Sequence, residues 1–191
     1  ELFIHCAAYG VHPQKSNWVD SIQYNVLESM KLLSAAADHG VKNFILFGSI
    51  LESNQFDNIE PKNIDMLSYI TSKKAFLQIF ASYAYLKNLN VIYLRLPNVY
   101  GEGQFQGNLW PSLKRAAQNG EDYIIKNKET LRSFVHIDEV VRLIEKKINL
   151  IQNFSKNINK VDIIDLIGEE MNIYEFAKRY WILWKAKGCL K

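Results

Sequence analysis

Three short, almost continuous apolar runs constrain the fold of this 191-residue chain more than any other feature. The runs are "LFIHC" (2–6), "FILFG" (44–48) and "VIYLRL" (91–96). None of them alternates apolar and polar residues as a half-exposed strand does. Continuous apolar character is typical of parallel strands that are covered on both faces. The sequence therefore predicts a parallel β-sheet inside the molecule.

Long stretches with helical periodicity separate these runs. Between the first two, apolar residues recur at helical spacing over 16–39, and Gly40 follows as a stop signal. Between the second and third, residues 69–88 predict another long helix. Strands that alternate with long helices imply right-handed crossovers, so we expect an α/β fold with helices flanking the sheet.

The alternation of apolar strands with long helices ends after residue 96. The predicted elements there are a Gly-rich loop (98–108), a helix from Pro111, a strand leading into a helix (134–148), and a strand, loop and helix (160–183). Asn172 and Glu175 have the spacing of a capping box at the start of the last helix. No internal repeat or linker divides the chain.

Composition excludes several classes of partner. The net charge is +3 and the basic residues are scattered, which gives no support for nucleic-acid binding. The apolar run 44–47 is far shorter than the ~20 residues of a membrane-spanning helix, so no membrane partner is expected. Cys6 and Cys189 make no disulfide framework, which favours a cytoplasmic location. The four histidines lack the spacing of metal ligands, and no metal site is expected.

Two Tyr-x-x-x-Lys patterns lie within the second long helix. They are Tyr69 with Lys73 and Tyr83 with Lys87. Residues four apart share a helix face, so each pair can bring an ammonium close to a phenol. So short a motif also occurs by chance, and the pattern alone does not choose between the two pairs.

The order of several motifs resembles the extended short-chain dehydrogenase/reductase family, which includes nucleotide-sugar epimerases, dehydratases and reductases. The motifs are "IHCAA", an Asn in a long helix, a strand ending in "GS", Tyr-x-x-x-Lys, "LRLPNVYGEG" and "RSFVHIDEVV". The resemblance implies a Rossmann-like parallel sheet. It assigns residues 1–98 to the C-terminal part of a dinucleotide-binding domain and 99–191 mainly to a substrate-binding region.

The resemblance also implies the catalytic residues. The family's Tyr–Lys pair begins about twenty residues after its Ser, which matches Ser49 and selects Tyr69 and Lys73. A nearby cation favours the phenolate over the phenol. On this basis we expect Lys73 to lower the pKa of Tyr69, which would then transfer a proton in catalysis. Ser49 is expected to hydrogen-bond the substrate oxygen.

The remaining site residues follow from the same resemblance, with NAD or NADP as the cofactor and a nucleotide sugar as the substrate. The expected cofactor-binding residues are Cys6, Ala7, Ala8, Asn25, Lys73, Leu96, Pro97 and Val99. The expected substrate-binding residues are Asn98, Asn108, Leu109 and Arg132. Arginine suits this role because its planar fork matches phosphate oxygens.

The sequence departs from the family pattern in two places. The glycine-rich loop that cradles the dinucleotide pyrophosphate is absent, as is the residue that separates NAD from NADP. We therefore expect that the first strands of a complete enzyme precede Glu1. Ser53 stands where the family's "S-x-x-x-Y-G" ending has a tyrosine.

These observations predict an NAD(P)-dependent oxidoreductase that reduces a 4-ketosugar. The stretch "HCAAYGVHPQ" resembles deoxysugar synthases of the abequose and paratose type. A nucleotide-sugar 4-epimerase and a non-catalytic Rossmann-like binding domain are the alternatives. Ile50 and Leu51 replace the acidic pair of the family's 4,6-dehydratases, so elimination of water is not expected. The family also implies a homodimer formed by the helices at 16–39 and 69–88.

Overall fold

The computed structural model describes residues 1–12, 16–53, 64–153 and 161–191. The chain forms two compact units. Unit 1 comprises Glu1–Leu96 and Asn149–Leu166, and unit 2 comprises Pro97–Ile148 and Ile167–Lys191. The division of roles between 1–98 and 99–191 stays a prediction.

Unit 1 contains the parallel sheet that the apolar runs predict. Its strands, numbered in chain order, are β1 (Leu2–His5), β2 (Asn43–Ser49), β3 (Asn90–Leu96) and β6 (Val161–Asp165). They lie in the order β1-β2-β3-β6, and every neighbouring pair is parallel. Phe44 in β2 is in register with Phe3 on one side and Val91 on the other. The predicted α/β fold is confirmed.

The helices of unit 1 connect these strands. They are α1 (Trp18–Ile22), a π-helical segment (Gln23–Glu28), α2 (Ser29–Asp38), short 3₁₀ turns at Ile50–Glu52 and Ile64–Met66, and α3 (Leu67–Lys87). The single helix predicted over 16–39 is therefore interrupted. Where the π-helical segment ends, the Ser29 hydroxyl donates to the Tyr24 carbonyl at 2.9 Å. The apolar periodicity does not reveal the wider turn.

Aromatic side chains fill the space between α3 and the sheet. The Phe80 ring lies edge-on to Phe44, with ring centroids 5.6 Å apart, and stacks on Phe76 at 5.7 Å. Leu33 of α2 and Tyr93 of β3 are fully buried in the same cluster. Burial of these groups is the main source of stability for unit 1, at roughly 1.5–3 kcal/mol for each large apolar side chain.

Unit 2 is built around a smaller sheet. Its elements are β4 (Asn98–Tyr100), α4 (Leu109–Asn119), β5 (Leu131–His136), the start of α5 (Ile137–Asn153), β7 (Glu169–Asn172) and α6 (Ile173–Leu183). Strand β5 pairs in parallel with β4 and antiparallel with β7. The capping box predicted at Asn172 and Glu175 is confirmed.

Two details of unit 2 differ from the sequence prediction. Helix α4 begins at Leu109 rather than Pro111, with Asn108 at its N-cap. Strand β7 lies in a segment predicted as loop, because Glu169 and Glu170 give it no apolar run. None of the helices in the described ranges combines the length and apolar character needed to cross a membrane.

The core of unit 1 gives a direct test of stability. Leu33 is 0% exposed, whereas its neighbour Leu32 is 47% exposed. We expect Leu33→Ala to lower the free energy of unfolding by about 2–5 kcal/mol, because it removes buried contacts and leaves a cavity. Leu32→Ala is the matched control and should change it by less than about 1 kcal/mol. Urea unfolding of both variants measures the difference, and equal losses would contradict this packing.

Candidate active site

The parallel sheet of unit 1 brings several polar residues to one edge. Because the strands run in the same direction, β1 and β2 end at the same edge, where α/β proteins bind their ligands. Ser49 is the last residue of β2, and residues 6–8 directly follow β1. Ser49 and the predicted cofactor-binding residues 6–8 therefore lie at the same edge of the sheet.

Ser49 is held by its own neighbours. Its hydroxyl oxygen accepts a hydrogen bond from the Leu51 backbone N–H at 3.2 Å, and its backbone N–H donates to Glu52 Oε1 at 2.6 Å. Together these bonds make a capping box at the start of the 3₁₀ turn that follows. No residue within the described ranges accepts the hydroxyl proton of Ser49.

Tyr69 and Lys73 are both buried near the start of α3, which contacts the turn after Ser49. Lys73 is only 3% exposed. Its ammonium lies 5.6 Å from the centroid of the Phe76 ring. Neither the ammonium nor the Tyr69 hydroxyl has a hydrogen-bond partner within the described ranges. Both groups thus retain unused hydrogen-bonding capacity next to Ser49.

The electrostatics differ from the sequence prediction. The pKa of Tyr69 is raised from its ordinary value, mainly by burial and further by the Glu52 carboxylate. The expectation that Lys73 lowers the pKa of Tyr69 is therefore wrong in this structure. Burial lowers the pKa of Lys73 itself, and Glu52 opposes that shift. Desolvation is the largest cause of both shifts, because both side chains are buried.

The second Tyr-x-x-x-Lys pair lies at the other end of α3. Tyr83 is fourteen positions beyond Tyr69, or about 21 Å along the helix axis. The Lys87 ammonium pairs with Asp38 at 3.2 Å and lies 5.7 Å from the centroid of the Tyr83 ring. The Tyr83 ring packs beside Phe80. The structure thus places only the first pair near Ser49.

Asn25 ties the segment after β1 to α3. Its side-chain oxygen accepts from the Tyr9 backbone N–H at 2.7 Å, and its amide nitrogen donates to the Tyr9 carbonyl at 3.0 Å and to the Ser72 hydroxyl at 2.9 Å. The Ser72 hydroxyl in turn donates to the Tyr69 carbonyl at 2.8 Å. Asn25 is 2% exposed, so these bonds satisfy a buried amide. Its contact with a cofactor stays a prediction.

A pocket of about 530 Å³ opens beside the end of β1. Ala7 and Ala8 line it together with Asn25 and residues of the π-helical segment and α2. Both alanines and Cys6 are exposed. Small side chains at this edge allow a flat group to approach the backbone closely. His5 lies on the inner side, where its ring nitrogen is 3.1 Å from the Ser29 hydroxyl.

The remaining predicted cofactor-binding and substrate-binding residues begin at the end of β3. Leu96 ends β3 in unit 1, while buried Pro97, Val99 of β4 and half-buried Arg132 of β5 belong to unit 2. The Asn98 amide donates to the Ser133 carbonyl at 3.0 Å. Asn108 caps α4 without a side-chain bond to it, and Leu109 packs against the aromatic cluster around Trp110.

Glu52 and Tyr93 are polar site neighbours that the sequence analysis did not predict. Glu52 is 2% exposed, and its Oε2 accepts a hydrogen bond from the Tyr93 hydroxyl at 2.9 Å. The Ser-x-x-Glu spacing of a capping box, Ser49 to Glu52, is a signal that could have revealed the first. Tyr93 lies inside an apolar run and gives no such signal. Among the described residues, no group of three or more His, Cys, Asp or Glu could hold a metal ion.

Comparison with known proteins identifies the family. The profile of the NAD dependent epimerase/dehydratase family matches residues 1–159. The chain belongs to this family. The resemblance found in its motifs is therefore confirmed.

Individual members of the epimerase/dehydratase family show how far the likeness extends. CDP-abequose synthase of Salmonella typhimurium is 25% identical over 139 residues, which cover 72% of this chain and 44% of that protein. A structure of MoeE5 in complex with UDP-glucuronic acid and NAD matches with a TM-score of 0.76 and 24% identity, over 100% of this chain and 64% of that chain. The UDP-glucose 4-epimerase of Thermotoga maritima, solved with UDP-glucose, matches with a TM-score of 0.75 and 19% identity, again over 100% and 64%.

These structural likenesses establish the fold of this family member. The chain spans less than half the length of the curated relative and about two thirds of the solved chains.

His5 makes the stability of the protein depend on pH. Burial lowers the pKa of His5, and the nearby Lys73 cation lowers it further. The unfolded chain therefore binds this proton more tightly, and the free energy of unfolding should fall as the pH drops below about 6.5. The fall should end once the pH is below the folded-state pKa.

Urea unfolding at about pH 8 and about pH 5 tests this in the wild type and in His5→Gln. The wild type should lose more stability than the variant over this interval. His39→Gln, which removes an exposed histidine, is the control and should behave as the wild type does. An equal or smaller loss in the wild type than in His5→Gln would show that His5 is not the group responsible.

Proposed function

We propose that the protein is an NAD(P)-dependent oxidoreductase that reduces the 4-keto group of a nucleotide-activated sugar. One observation carries the proposal. Ser49 ends β2 at the carboxyl edge of the sheet, and α3, which has Tyr69 and Lys73 near its start, contacts the turn after Ser49. Each of the three side chains has a polar hydrogen that no described residue accepts. Three donors near a ligand-binding edge suit a substrate oxygen that gains negative charge during reduction.

Each residue has a distinct role in this proposal. The Ser49 hydroxyl donates a hydrogen bond to the carbonyl oxygen and orients it. Tyr69 delivers its phenolic proton to the same oxygen as the alcohol forms, and a positioned general acid of this kind contributes roughly 10²–10⁴ in rate. The Lys73 ammonium stabilises the phenolate that remains. Burial raises the pKa of Tyr69 in the free protein, so the phenolate formed on donation depends on this stabilisation by Lys73.

The residues present fit the nicotinamide end of a dinucleotide. The buried Lys73 ammonium has no acceptor among the described residues, and ribose hydroxyls would supply one. Exposed Ala7 and Ala8 leave room beside the β1 edge. A bound NADH or NADPH would supply the hydride for the reduction. Cys6, Asn25, Leu96, Pro97 and Val99 are the further residues proposed to border the cofactor.

The substrate-binding role is proposed for unit 2. Arg132 suits the phosphates of a nucleotide, and Asn98, Asn108 and Leu109 are proposed to contact the nucleotide sugar. The nucleotide sugar bound to MoeE5 supports this substrate class. The likeness to CDP-abequose synthase supports a deoxysugar pathway. We also propose a cytoplasmic location, since Cys6 and Cys189 are both free thiols.

The residues after Ser49 favour plain reduction over elimination. Ile50 and Leu51 form the turn that Ser49 caps, and neither side chain can donate or accept a proton. Elimination of water needs a proton donor at the leaving hydroxyl and a base at the adjacent carbon. Both would have to come from this turn if the protein followed the dehydratase pattern. Reduction needs only the proton donor at the carbonyl oxygen.

Replacement of the proposed proton donor tests the function. In the protein expressed from its complete open reading frame, Tyr69→Phe should lower turnover of a nucleotide-linked 4-keto-6-deoxyhexose by about 10²-fold or more. Cofactor affinity should remain within a few-fold of the wild type. Oxidation of NADH and NADPH, followed by absorbance, measures both quantities.

Tyr83→Phe provides the matched control from the same helix. The Tyr83 hydroxyl is buried without a partner among the described residues, so its removal should leave turnover unchanged. Comparable losses in both variants would refute the assignment of Tyr69. A product formed by elimination of water would refute the proposed reaction.

We further propose that the protein is a homodimer that associates through α1, α2 and α3. Phe76 and Phe80 of α3 do not contribute to this surface, because both rings are buried in the core cluster of unit 1. Other large apolar side chains on these helices are exposed, among them Val19 of α1 and Ile79 and Leu86 of α3. Ile79 and Leu86 are seven residues apart and therefore share a helix face. Exposed apolar side chains on one helix face favour association.

Charge substitution on this face tests the dimer. Sedimentation at micromolar concentration should show a dimer for the wild type and a monomer for Ile79→Lys/Leu86→Lys, because association would bury two unpaired charges on each chain. Ile167→Lys is the control, since Ile167 is as apolar as Ile79 and more exposed but lies in unit 2. A monomeric wild type, or a double variant that remains dimeric, would contradict the proposal.

A further inference from the structure

Glu52 is an unusual residue to find beneath a site of this kind. Its carboxylate is almost completely buried, and a buried charge is costly unless it is paired and hydrogen-bonded. Both carboxylate oxygens of Glu52 accept a hydrogen bond. Oε1 accepts from the Ser49 backbone N–H at 2.6 Å, and Oε2 accepts from the Tyr93 hydroxyl at 2.9 Å. Glu52 therefore joins the end of β2 to the middle of β3.

The chain makes room for this carboxylate at Gly48. A Cβ atom at that position would lie 2.6 Å from Glu52 Oε1 and 2.3 Å from the Tyr93 ring. No side chain fits there without displacing one of the two. Glycine directly before Ser49 thus permits the contact between Glu52 and Tyr93. The buried position of Glu52 therefore depends on Gly48 and Tyr93 as well as on Ser49, whereas a simple capping box involves only two residues.

A second capping box in the same chain shows what an ordinary one looks like. In unit 2, Glu175 Oε2 accepts from the Asn172 backbone N–H at 3.3 Å, in an exposed position at the start of α6. Within the described part of the chain, no neighbouring strand donates a second hydrogen bond to this carboxylate. The box at Ser49 shares the pattern but is buried, has the shorter bond and is fixed to the sheet by Tyr93.

These hydrogen bonds restrict the orientation of the Ser49 side chain. The backbone of Ser49 is fixed through its N–H, and its hydroxyl oxygen is fixed by the Leu51 N–H. With both ends held, the remaining freedom of the side chain is the direction of its hydroxyl proton. A donor with this little freedom needs no reorganisation when charge develops on a substrate oxygen.

We propose that Glu52 is a positioning residue that acts through Ser49, holding its backbone so that its hydroxyl points at the substrate oxygen. The expected effect of Glu52 on turnover rests on the proposed function, whereas its effect on the Ser49 backbone does not. Groups that face Glu52 from the packed elements are Tyr69 and Lys73 of α3 and Tyr93 and Arg95 of β3. Glu52 is thus placed to couple β2, β3 and α3 at the reaction centre.

The first test compares two variants of Glu52. Glu52→Gln keeps the acceptor for the Ser49 N–H and can donate to the Tyr93 oxygen, so turnover should stay within a few-fold of the wild type. Glu52→Leu removes both bonds and should lower kcat by about a hundredfold, the order expected for misplacement of a catalytic group by about 1 Å. If Glu52→Gln were as impaired as Glu52→Leu, geometry would not be the reason, and the proposal would fall.

A double-mutant cycle then asks whether Glu52 acts through Ser49. Once the hydroxyl is removed by Ser49→Ala, the further change Glu52→Leu should have little additional effect on kcat. Losses that multiply would mean that Glu52 acts independently and would overturn the proposal. Glu175→Leu is the matched control, because it breaks the exposed capping box and should reduce stability without changing kcat.

A measurement that needs no enzyme activity tests whether Glu52 fixes the backbone of Ser49. Hydrogen exchange of the Ser49 amide, followed by NMR without ligands, should be slow in the wild type and Glu52→Gln but faster by roughly tenfold or more in Glu52→Leu. The Leu46 amide in the centre of β2 should exchange alike in all three and so controls for global unfolding. Equal protection of Ser49 in Glu52→Leu would overturn the inference even if the enzyme were active. If the protein reduced no nucleotide sugar, the proposed function would fail while the exchange result still decided the role of Glu52.

Discussion

The parallel pairing of β2 with β1 on one side and β3 on the other positions every reactive group of unit 1. Because the three strands run in register, Ser49 at the end of β2 lies at the edge where β1 also ends. The helix that follows β2 then returns across the sheet, and its first turns carry Tyr69 and Lys73 to that edge. Any change in this pairing would separate the serine from the tyrosine and the lysine.

Burial determines the chemical state of these groups. Lys73, Tyr69 and Glu52 all lie away from solvent, so each disfavours its charged form, and the attraction between Lys73 and Glu52 opposes that tendency. A buried cation and a buried carboxylate stabilise each other only when hydrogen bonds satisfy their remaining donors and acceptors. For Glu52, Ser49 and Tyr93 provide those bonds. For Lys73, no described residue provides them and a ligand would, which connects the stability of the free protein to its proposed function.

The sequence predicted the sheet because short, continuous apolar runs between long helical stretches are typical of strands buried on both faces. It also predicted the family, since several motifs occur in one order along the chain. The π-helical segment was not foreseen, because the apolar spacing of the sequence carries no signal of a wider turn. Strand β7 was missed because Glu169 and Glu170 give it a polar sequence, and only its pairing with β5 reveals it.

The electrostatics of the site could not be derived from sequence spacing. The four-residue spacing of Tyr69 and Lys73 implies proximity, but the pKa of the phenol depends on how deeply both are buried and on Glu52, which lies in a separate turn. Burial is a property of tertiary packing. Similarly, the Ser-x-x-Glu spacing can indicate a cap at Glu52, but the burial of this carboxylate and its hydrogen bond to Tyr93 depend on tertiary packing around Gly48.

Transfer of isotope from the cofactor to the sugar would show whether the protein reduces a 4-ketosugar. The protein from the complete reading frame would be incubated with a nucleotide-linked 4-keto-6-deoxyhexose and NADH or NADPH that carries deuterium at the transferable position of nicotinamide carbon 4. The account predicts one deuterium at carbon 4 of the sugar product for each cofactor oxidised, as seen by NMR. Consumption of the sugar without deuterium at that carbon, or an unchanged sugar under conditions where the cofactor binds, would contradict it.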